Sequence, residues 1–344
     1  MSGTLDARAT GGRIVCFGEL LLRLSAPEGR MLQQSPALNL CTGGAEANVA
    51  VSLACLGHRS AMVSVLPDNA LGQVAVDALR THGVDVSGVQ RRDGRMGLYF
   101  LTPGAVVRPS DIVYDRAGSA FADADPACYD WEALLDGASW LHVSGISPAV
   151  GERPGQAVLD AMRTARALGV RVSFDGNYRA SLWQARGTDG AATLREVLGH
   201  ADLAFASERD FALVLGQPEL AQDGREDDAV AAAFAAFPRL GYLAATRRRQ
   251  HGVQRHDLDA FLHTREGSYS AGTYSLHQIV DRIGTGDAFA AGILDGLLRS
   301  LDLDKVVEFG LAAAAMKHSL SGDFNPASRS QIAALVDGML DVRR

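Results

Sequence analysis

"SWLHVSGISPAVGERPGQAVLDAMRTARALGVRVSFDGN", Ser139 to Asn177, contains a strand, a helix and a second strand in succession. "SWLHVSG" is a short apolar run closed by glycine, "GQAVLDAMRTARALG" has helical texture with Gly169 as a stop, and "VRVSFDGN" is again strand-like. Two strands joined through a helix run parallel in one sheet, and this unit recurs in both directions along the chain. Upstream, "RIVCFGELLLRLSA" (13–26) opens as a strand and "AEANVAVSLACLG" is a helix stopping at Gly57. "SAMVSVL" is the next strand and "NALGQVAVDALRTHG" a helix ending at Gly83. Downstream, "AATLREVLGH" is a helix, and "ADLAFAS" and "GYLAATR" are buried strands. "GQPELAQDGREDD" is a solvated loop and "AVAAAFAAF" a helix. Three helices follow Asp287, the last spanning roughly Ser328 to Val342. "MGLYFLTPG" and "SDIVYDRAG" break the rhythm as a hairpin with Pro and Gly between the runs. The pattern predicts an α/β fold with a mainly parallel central sheet flanked by helices. Its ligands are expected at the carboxyl ends of the strands, and a small β-sheet is expected from segments near 20–42 and 95–118.

Bulk composition narrows the function. A chain of 344 residues, 47% hydrophobic and 21% charged, can bury a sizeable core, and no shift in composition marks a domain boundary. A net charge of -7 argues against a nucleic-acid partner. Lys305 and Lys317 are the only lysines, so a GxxxxGK[ST] phosphate loop cannot be written anywhere, and any bound phosphate is held by other groups. Cys16, Cys41, Cys55 and Cys128 lack metal or disulfide spacing. Residues 1–12 read as a flexible polar tail without a secretory signal, and no uncharged stretch reaches membrane-spanning length, so a cytoplasmic protein without a membrane partner is expected.

Two glycine-rich turns open helices. "DRIGTGDAFAAG" (281–292) places Gly284, Thr285 and Gly286 before Asp287, which is either a helix cap or a carboxylate aimed at whatever meets a phosphate held by the turn. "CTGGAEANVA" (41–50) sets a bare Gly43–Gly44 backbone and the Asn48 amide at a second helix mouth, suited to the hydroxyls of a polyol. His142, His200 and His318 show no metal-ligand spacing and read as structural.

"GGAEANVAVSLACLG" and "DRIGTGDAFAAGIL" resemble, in order and separation, the two signature segments of the ribokinase-like (PfkB) carbohydrate kinases, and the similarity runs from about Arg13 to the C-terminus. "GLYFL", "VYDRAGSA", "FDGNYRASLW", "VDRIGTGD" and "SGDFNPAS" look most like the 2-keto-3-deoxygluconate kinases of that family. The resemblance implies a single ribokinase-like kinase domain over 13–344 whose small sheet is a lid. It implies ATP-dependent phosphorylation of the terminal hydroxyl of 2-keto-3-deoxygluconate to the 6-phosphate. Asp287 is then the general base, and Gly284, Thr285 and Gly286 supply an anion hole. Gly43, Gly44, Asn48, Tyr99, Tyr114, Arg116 and Arg179 face the sugar acid, the two arginines holding its carboxylate. Ser207 and Thr246 lie toward the nucleotide, and Glu208 reaches Mg²⁺ through water. Mg-ATP is the implied cosubstrate, with a monovalent cation as a further candidate ligand and a homodimer as the implied assembly.

Three positions depart from the family pattern. Ser207 stands where typical members carry Asn, and Thr285 replaces a small Gly or Ala. "TRRRQHGVQRHDLDAF" lacks the common lysine-glycine pattern of the nucleotide loop and resembles the longer basic form of some deoxygluconate kinases. Rival readings are a kinase for fructose or another neutral sugar and a non-catalytic sugar- or nucleotide-binding protein on the same fold. A nucleotide-dependent dehydrogenase is weaker, because its glycine fingerprint is missing after "RIVCFG".

Overall fold

A computed structural model describes residues 12–339. In chain order its strands are β1 (Arg13–Phe17), β2 (Leu21–Ser25), β3 (Asn39–Gly43), β4 (Ser60–Pro67), β5 (Asp85–Arg92), β6 (Gly97–Thr102) and β7 (Asp111–Asp115). After these come β8 (Ala138–Ser144), β9 (Arg171–Asp175), β10 (Leu203–Phe205), β11 (Tyr242–Gly252), β12 (Arg255–His263) and β13 (Ser268–His277). The helices are α1 (Ala45–Cys55), α2 (Ala70–Thr81), α3 (Trp131–Leu135), α4 (Ile146–Val150), α5 (Glu152–Ala167) and α6 (Ala180–Arg186). The C-terminal half adds α7 (Gly190–Leu198), α8 (Glu208–Leu215), α9 (Glu226–Ala236), α10 (Thr285–Leu298), α11 (Leu303–Lys317) and α12 (Arg329–Val336).

Nine strands form the main sheet in the order β13-β12-β11-β10-β9-β8-β1-β4-β5, parallel from β11 to β5 and antiparallel at β12 and β13. Alternation along each strand feeds two cores. Val15 and Phe17 of β1 join Leu141, Val143 and Phe174 under α5 and α7, whereas Ile14 and Cys16 join Met62 and Trp140 under α1, α10 and α11. Both faces are thereby covered, which is why these strands are apolar on both sides. From β1 the chain moves outward to β4 and β5, and from β8 it moves the opposite way to β9, β10 and β11. The crevice at the carboxyl ends of β1 and β8 is where an α/β sheet of this kind receives a ligand.

A second sheet, β3-β2-β6-β7, is built from the two segments expected to form it, with β6 and β7 as the antiparallel hairpin. The stretch 13–26, which opens as the expected strand, continues as a second strand in the other sheet. The break falls at Gly18, where a Cβ would lie 2.0 Å from Oε2 of Glu46. The segment 246–261, expected as a nucleotide loop, is most of a β-hairpin whose pairing runs from Leu243 opposite His263 to Gly252 opposite Arg255. The expected loop "GQPELAQDGREDD" contains a short 3-10 turn, Pro218–Ala221, because Leu220 is buried beside Ala212 and Ala229. The polar tail expected over 1–12 lies outside the described residues except for Gly12, as does the part of the last expected helix beyond 339. Among the described residues no helix is long and apolar enough to cross a membrane.

Candidate active site

Helix α10 starts without a side-chain cap. Its N-cap is Gly284 at φ 81°, a left-handed conformation open to glycine at little cost, and a Cβ there would lie 2.0 Å from the carbonyl oxygen of Asp323. The first turn of a helix presents N–H groups that lack intrahelical partners and carries the positive end of the dipole. Thr285 is partly engaged here, its N–H reaching Arg282 O at 3.5 Å and its Oγ1 donating to the same oxygen at 3.0 Å. Gly286 is exposed, and a Cβ on it would meet nothing within 4 Å, so the backbone at that point is open to a ligand.

Asp287 sits in this first turn, and Asn48 Nδ2, from the second glycine-rich turn, donates to its Oδ2 at 2.6 Å. Asn48 is buried, and its Oδ1 has no donor from the protein. The Gly43–Gly44 turn that positions Asn48 is itself tight. Gly44 adopts φ 144°, with the carbonyl oxygen of Glu19 2.3 Å from a would-be Cβ, and a Cβ on Gly43 would strike the Asp323 carboxylate. The two helix mouths, 239 residues apart in sequence, thus meet at one hydrogen bond.

A group of carboxylates surrounds that contact. Burial pushes the Asp287 carboxyl well above the ordinary carboxylate range. The Asn48 amide opposes this, and the charges of Asp175, Glu46 and Asp323 add to it. Glu46, in the first turn of α1, accepts from Ser144 Oγ at 2.6 Å and Ser144 N at 3.1 Å at the end of β8, while its Oε2 has no partner. Burial pushes Glu46 up to about 7, against those hydrogen bonds. Asp175, at the end of β9, is pushed up to about 6, chiefly by burial, with its hydrogen bond from Asn177 N opposing and the charge of Asp210 adding. Carboxylates with raised pKa values gathered at a crevice are the composition of a proton-accepting site.

The residues expected to face the substrate fall differently. Tyr99 donates to Asp323 Oδ2 at 2.6 Å, and its ring centre lies 5.8 Å from that of Tyr114. Arg116 is buried against Glu19, its Nε donating at 2.8 Å and its Nη2 at 2.5 Å to Glu19 Oε2, while Ser119 Oγ donates to Oε1. Arg179 is exposed at the N-cap of α6. The site is closed on this side by Arg23 of β2, whose Nη2 reaches Asp281 at 2.7 Å and whose Nη1 lies 3.0 Å from Asp323. The second sheet is thereby fastened to the loop that leads into α10.

On the other side, Ser207 caps α8 in a capping box. Asp210 accepts from its N–H at 2.7 Å and its hydroxyl at 2.8 Å, so the hydroxyl is already engaged. Glu208 follows half-buried at the start of α8, and Thr246 is exposed on β11. Among the described residues no group of three or more His, Cys, Asp or Glu side chains is placed to hold a metal ion. A half-buried carboxylate such as Glu208 suits Mg²⁺, which takes oxygen ligands and keeps most of its waters.

Sequence reasoning missed Arg23, Asp323, Glu46, Glu19 and Asp175. Glu46 and Asp175 lie inside quoted motifs, "GGAEAN" and "FDGN", and a carboxylate within a glycine-rich turn was the available signal. Arg23 carries no local signal, because its partners are 258 and 300 positions away.

A carboxylate held by an amide at an uncapped helix mouth, at the open end of a parallel sheet, is an arrangement suited to phosphoryl transfer to an alcohol. Comparison with known proteins agrees. The pfkB family carbohydrate kinase model matches residues 12–329. The chain is 32% identical over 325 residues to the 2-dehydro-3-deoxygalactonokinase of Haloferax volcanii, covering 94% of this chain and 96% of that one. It is 30% identical over 314 residues to the 2-dehydro-3-deoxygluconokinase of Bacillus subtilis, covering 90% and 91%. Among solved structures, the 2-dehydro-3-deoxygluconokinase of Thermotoga maritima superposes with a TM-score of 0.89 at 36% identity, covering 95% of this chain and all of that one. The chain belongs to the pfkB family of carbohydrate kinases.

Proposed function

We propose that this protein is a Mg-ATP-dependent kinase of 2-keto-3-deoxy sugar acids, transferring the γ-phosphoryl group to the terminal hydroxyl of 2-keto-3-deoxygluconate to give the 6-phosphate. The observation that carries the reaction is the Asn48–Asp287 contact at the mouth of α10. The acceptor oxygen attacks the γ-phosphorus, its proton passes to an Asp287 carboxylate oxygen, and the bond to the ADP oxygen breaks. Asn48, bonded to Oδ2, fixes the carboxylate and leaves its own Oδ1 to a sugar hydroxyl. The open backbone at Gly286 and the amides of Gly284 and Thr285 lie where a transferring phosphoryl group meets the positive helix end. Bound Mg²⁺ would neutralise phosphate charge, with Glu208 reaching it through water. Relatives with 2-dehydro-3-deoxygluconate and galactonate kinase names support the acceptor class.

A second acceptor, fructose or another neutral sugar, is favoured by one feature. Arg116, the guanidinium expected to bind the acid, already gives its Nε and Nη2 to Glu19. For the sugar-acid reading, Nη1 of Arg116 and the exposed Arg179 take the carboxylate. Two further parts of the proposal concern the setting. The exposed Leu40 and Val113, on the face of the second sheet turned away from Arg23 and Tyr99, pair two subunits, and the enzyme works in the cytoplasm. A monovalent cation near the α10 loop, where Arg23 and Lys317 already face Asp281 and Asp323, adds little charge compensation, so turnover is expected to depend weakly on potassium.

The test is ADP release with Mg-ATP and a panel of 2-keto-3-deoxygluconate, 2-keto-3-deoxygalactonate, fructose, ribose and gluconate. Turnover confined to the keto acids supports the proposal. Turnover on a neutral sugar replaces the acceptor, and silence with every compound removes the kinase reading.

A further inference from the structure

The chain has two lysines, and neither is free to meet a phosphate. Lys305 pairs with Glu308 on the surface, and buried Lys317 donates to Leu320 O at 2.9 Å. The question left by the sequence is which cations answer the charge of a nucleoside triphosphate.

Strand β11 carries three successive arginines, and its pairing with β12 sorts them. Arg247 and Arg249 stand opposite Asp259 and Asp257, on one face. Both are satisfied there: Arg247 reaches Glu226 at 2.9 Å and lies 4.9 Å from the Phe261 ring centre, and Arg249 pairs with Asp259 at 2.8 Å. Arg248 projects from the other face, with Thr246 two residues before it and Leu258 opposite. Leu258 packs in the same core as Phe289 of α10, so this face is turned toward that helix. Among the described residues no carboxylate, ring or carbonyl partners the exposed Arg248 guanidinium. Its electrostatic neighbour is Arg282, two residues before the Gly284 cap, whose side chain is also without a partner.

His256 lies within reach of both charges. It is fully buried, no side chain among the described residues bonds either ring nitrogen, and burial followed by the charges of Arg248 and Arg282 keeps it below its ordinary pKa, with the Gly252 backbone opposing. Two like charges side by side repel, and with Arg248 exposed to water that repulsion is only partly screened. A dianionic or more highly charged ligand reverses that, and guanidinium forks are shaped for phosphate oxygens.

We propose that Arg248 and Arg282 form a two-arginine clamp on the polyphosphate chain of the nucleoside triphosphate, beyond its α-phosphate, supplying from the β11–β12 hairpin and the α10 loop the charge that a phosphate-loop lysine supplies elsewhere. The assignment rests on the kinase reading above and adds which residues recognise the nucleotide's charged end. The adjacent helix mouth gives directional N–H donors, and the clamp gives net positive charge.

Calorimetry with ADP and with AMP, on the wild-type chain and on Arg248→Gln, Arg282→Gln and Arg247→Gln, separates the possibilities. The clamp predicts that each of the first two weakens ADP by about tenfold or more and leaves AMP within about twofold. Arg247→Gln, on the opposite face, is expected to bind both as wild type does. In turnover the KM for ATP rises and that for the sugar does not. Wild-type protein supplies a check that needs no variant: phenylglyoxal modifies Arg248 and Arg282, and tripolyphosphate protects both. Unchanged ADP affinity in both variants, equal losses for ADP and AMP, an equal loss in Arg247→Gln, or labelling that tripolyphosphate does not reduce would each overturn the clamp. These binding readouts are independent of the acceptor. A wild-type chain that binds ADP but turns over no sugar removes the kinase reading while the variants still decide the clamp, and one that binds no ADP removes the clamp.

Discussion

In the proposed reaction Asp287 is the base, and its surroundings make the proton welcome. Burial and three neighbouring carboxylates raise its pKa, and the Asn48 hydrogen bond only partly offsets them. A base works when deprotonated, so a raised pKa moves the loss of activity to higher pH. The acid limb of kcat/KM is therefore expected above about 4, the ordinary carboxylate value, and a limb at or below it would show that the local charges do not govern the reacting group. Glu46 makes a related prediction about stability. Its folded value near 7 exceeds the unfolded value of about 4.3, so the stability it contributes is full below that lower value and is lost as pH rises toward 7. Thermal unfolding of Glu46→Gln should accordingly change less between pH 5 and pH 8 than that of the wild type. An identical slope in the two proteins would mean that Glu46 is ionised at no cost.

At the scale of elements, the helix mouths were legible because each lies within a contiguous motif. Gly284, Gly286 and Asp287 share one turn, and Gly43, Gly44 and Asn48 another, so spacing alone suggested that each opens a helix. Two glycines of one mouth have separable jobs. Gly284→Ala places a Cβ 2.0 Å from a backbone oxygen at positive φ and should cost about 2 kcal/mol or more, read as a lowered Tm together with lost turnover. Gly286→Ala meets open space, so its Tm should hold while the KM for ATP rises; a large loss of stability there would place Gly286 in packing. Beyond "GYLAATR", read as a strand, the rest of the β11–β12 hairpin was not legible. Its arginines and histidines hide the period-two pattern until the pairing reveals one satisfied face and one unsatisfied face. The end of the first strand carries little local signal: "RIVCFGELLLRLSA" is largely apolar, and the buried Glu46 carboxylate beside Gly18 marks where one sheet ends.

Across the whole molecule, the parallel sheet was readable from its repeating unit, whereas the link between the two sheets was not, since it depends on side chains brought together only by folding. Arg23 ties the second sheet to Asp281 and Asp323, and Asp323 in turn lies against Gly43 and Gly284. Burial by itself would lower the Arg23 pKa, but Asp323 and Asp281 reverse that and hold the guanidinium charged. Arg23→Met leaves two carboxylates without their cation and should reduce stability by about 3 kcal/mol, with a fall in kcat as the loop into α10 loosens. Denaturant unfolding checks the first effect, and a variant as stable as wild type would show that the two sheets are held together elsewhere. All of these links converge on the carboxylate at the mouth of α10. The most direct measurement is turnover and ligand binding of Asp287→Asn with Mg-ATP and 2-keto-3-deoxygluconate. The account predicts ADP release reduced by about a thousandfold or more, with ATP and sugar-acid affinities within a few-fold of wild type. Turnover near the wild-type rate would contradict it, since the hydroxyl proton would then leave by another route.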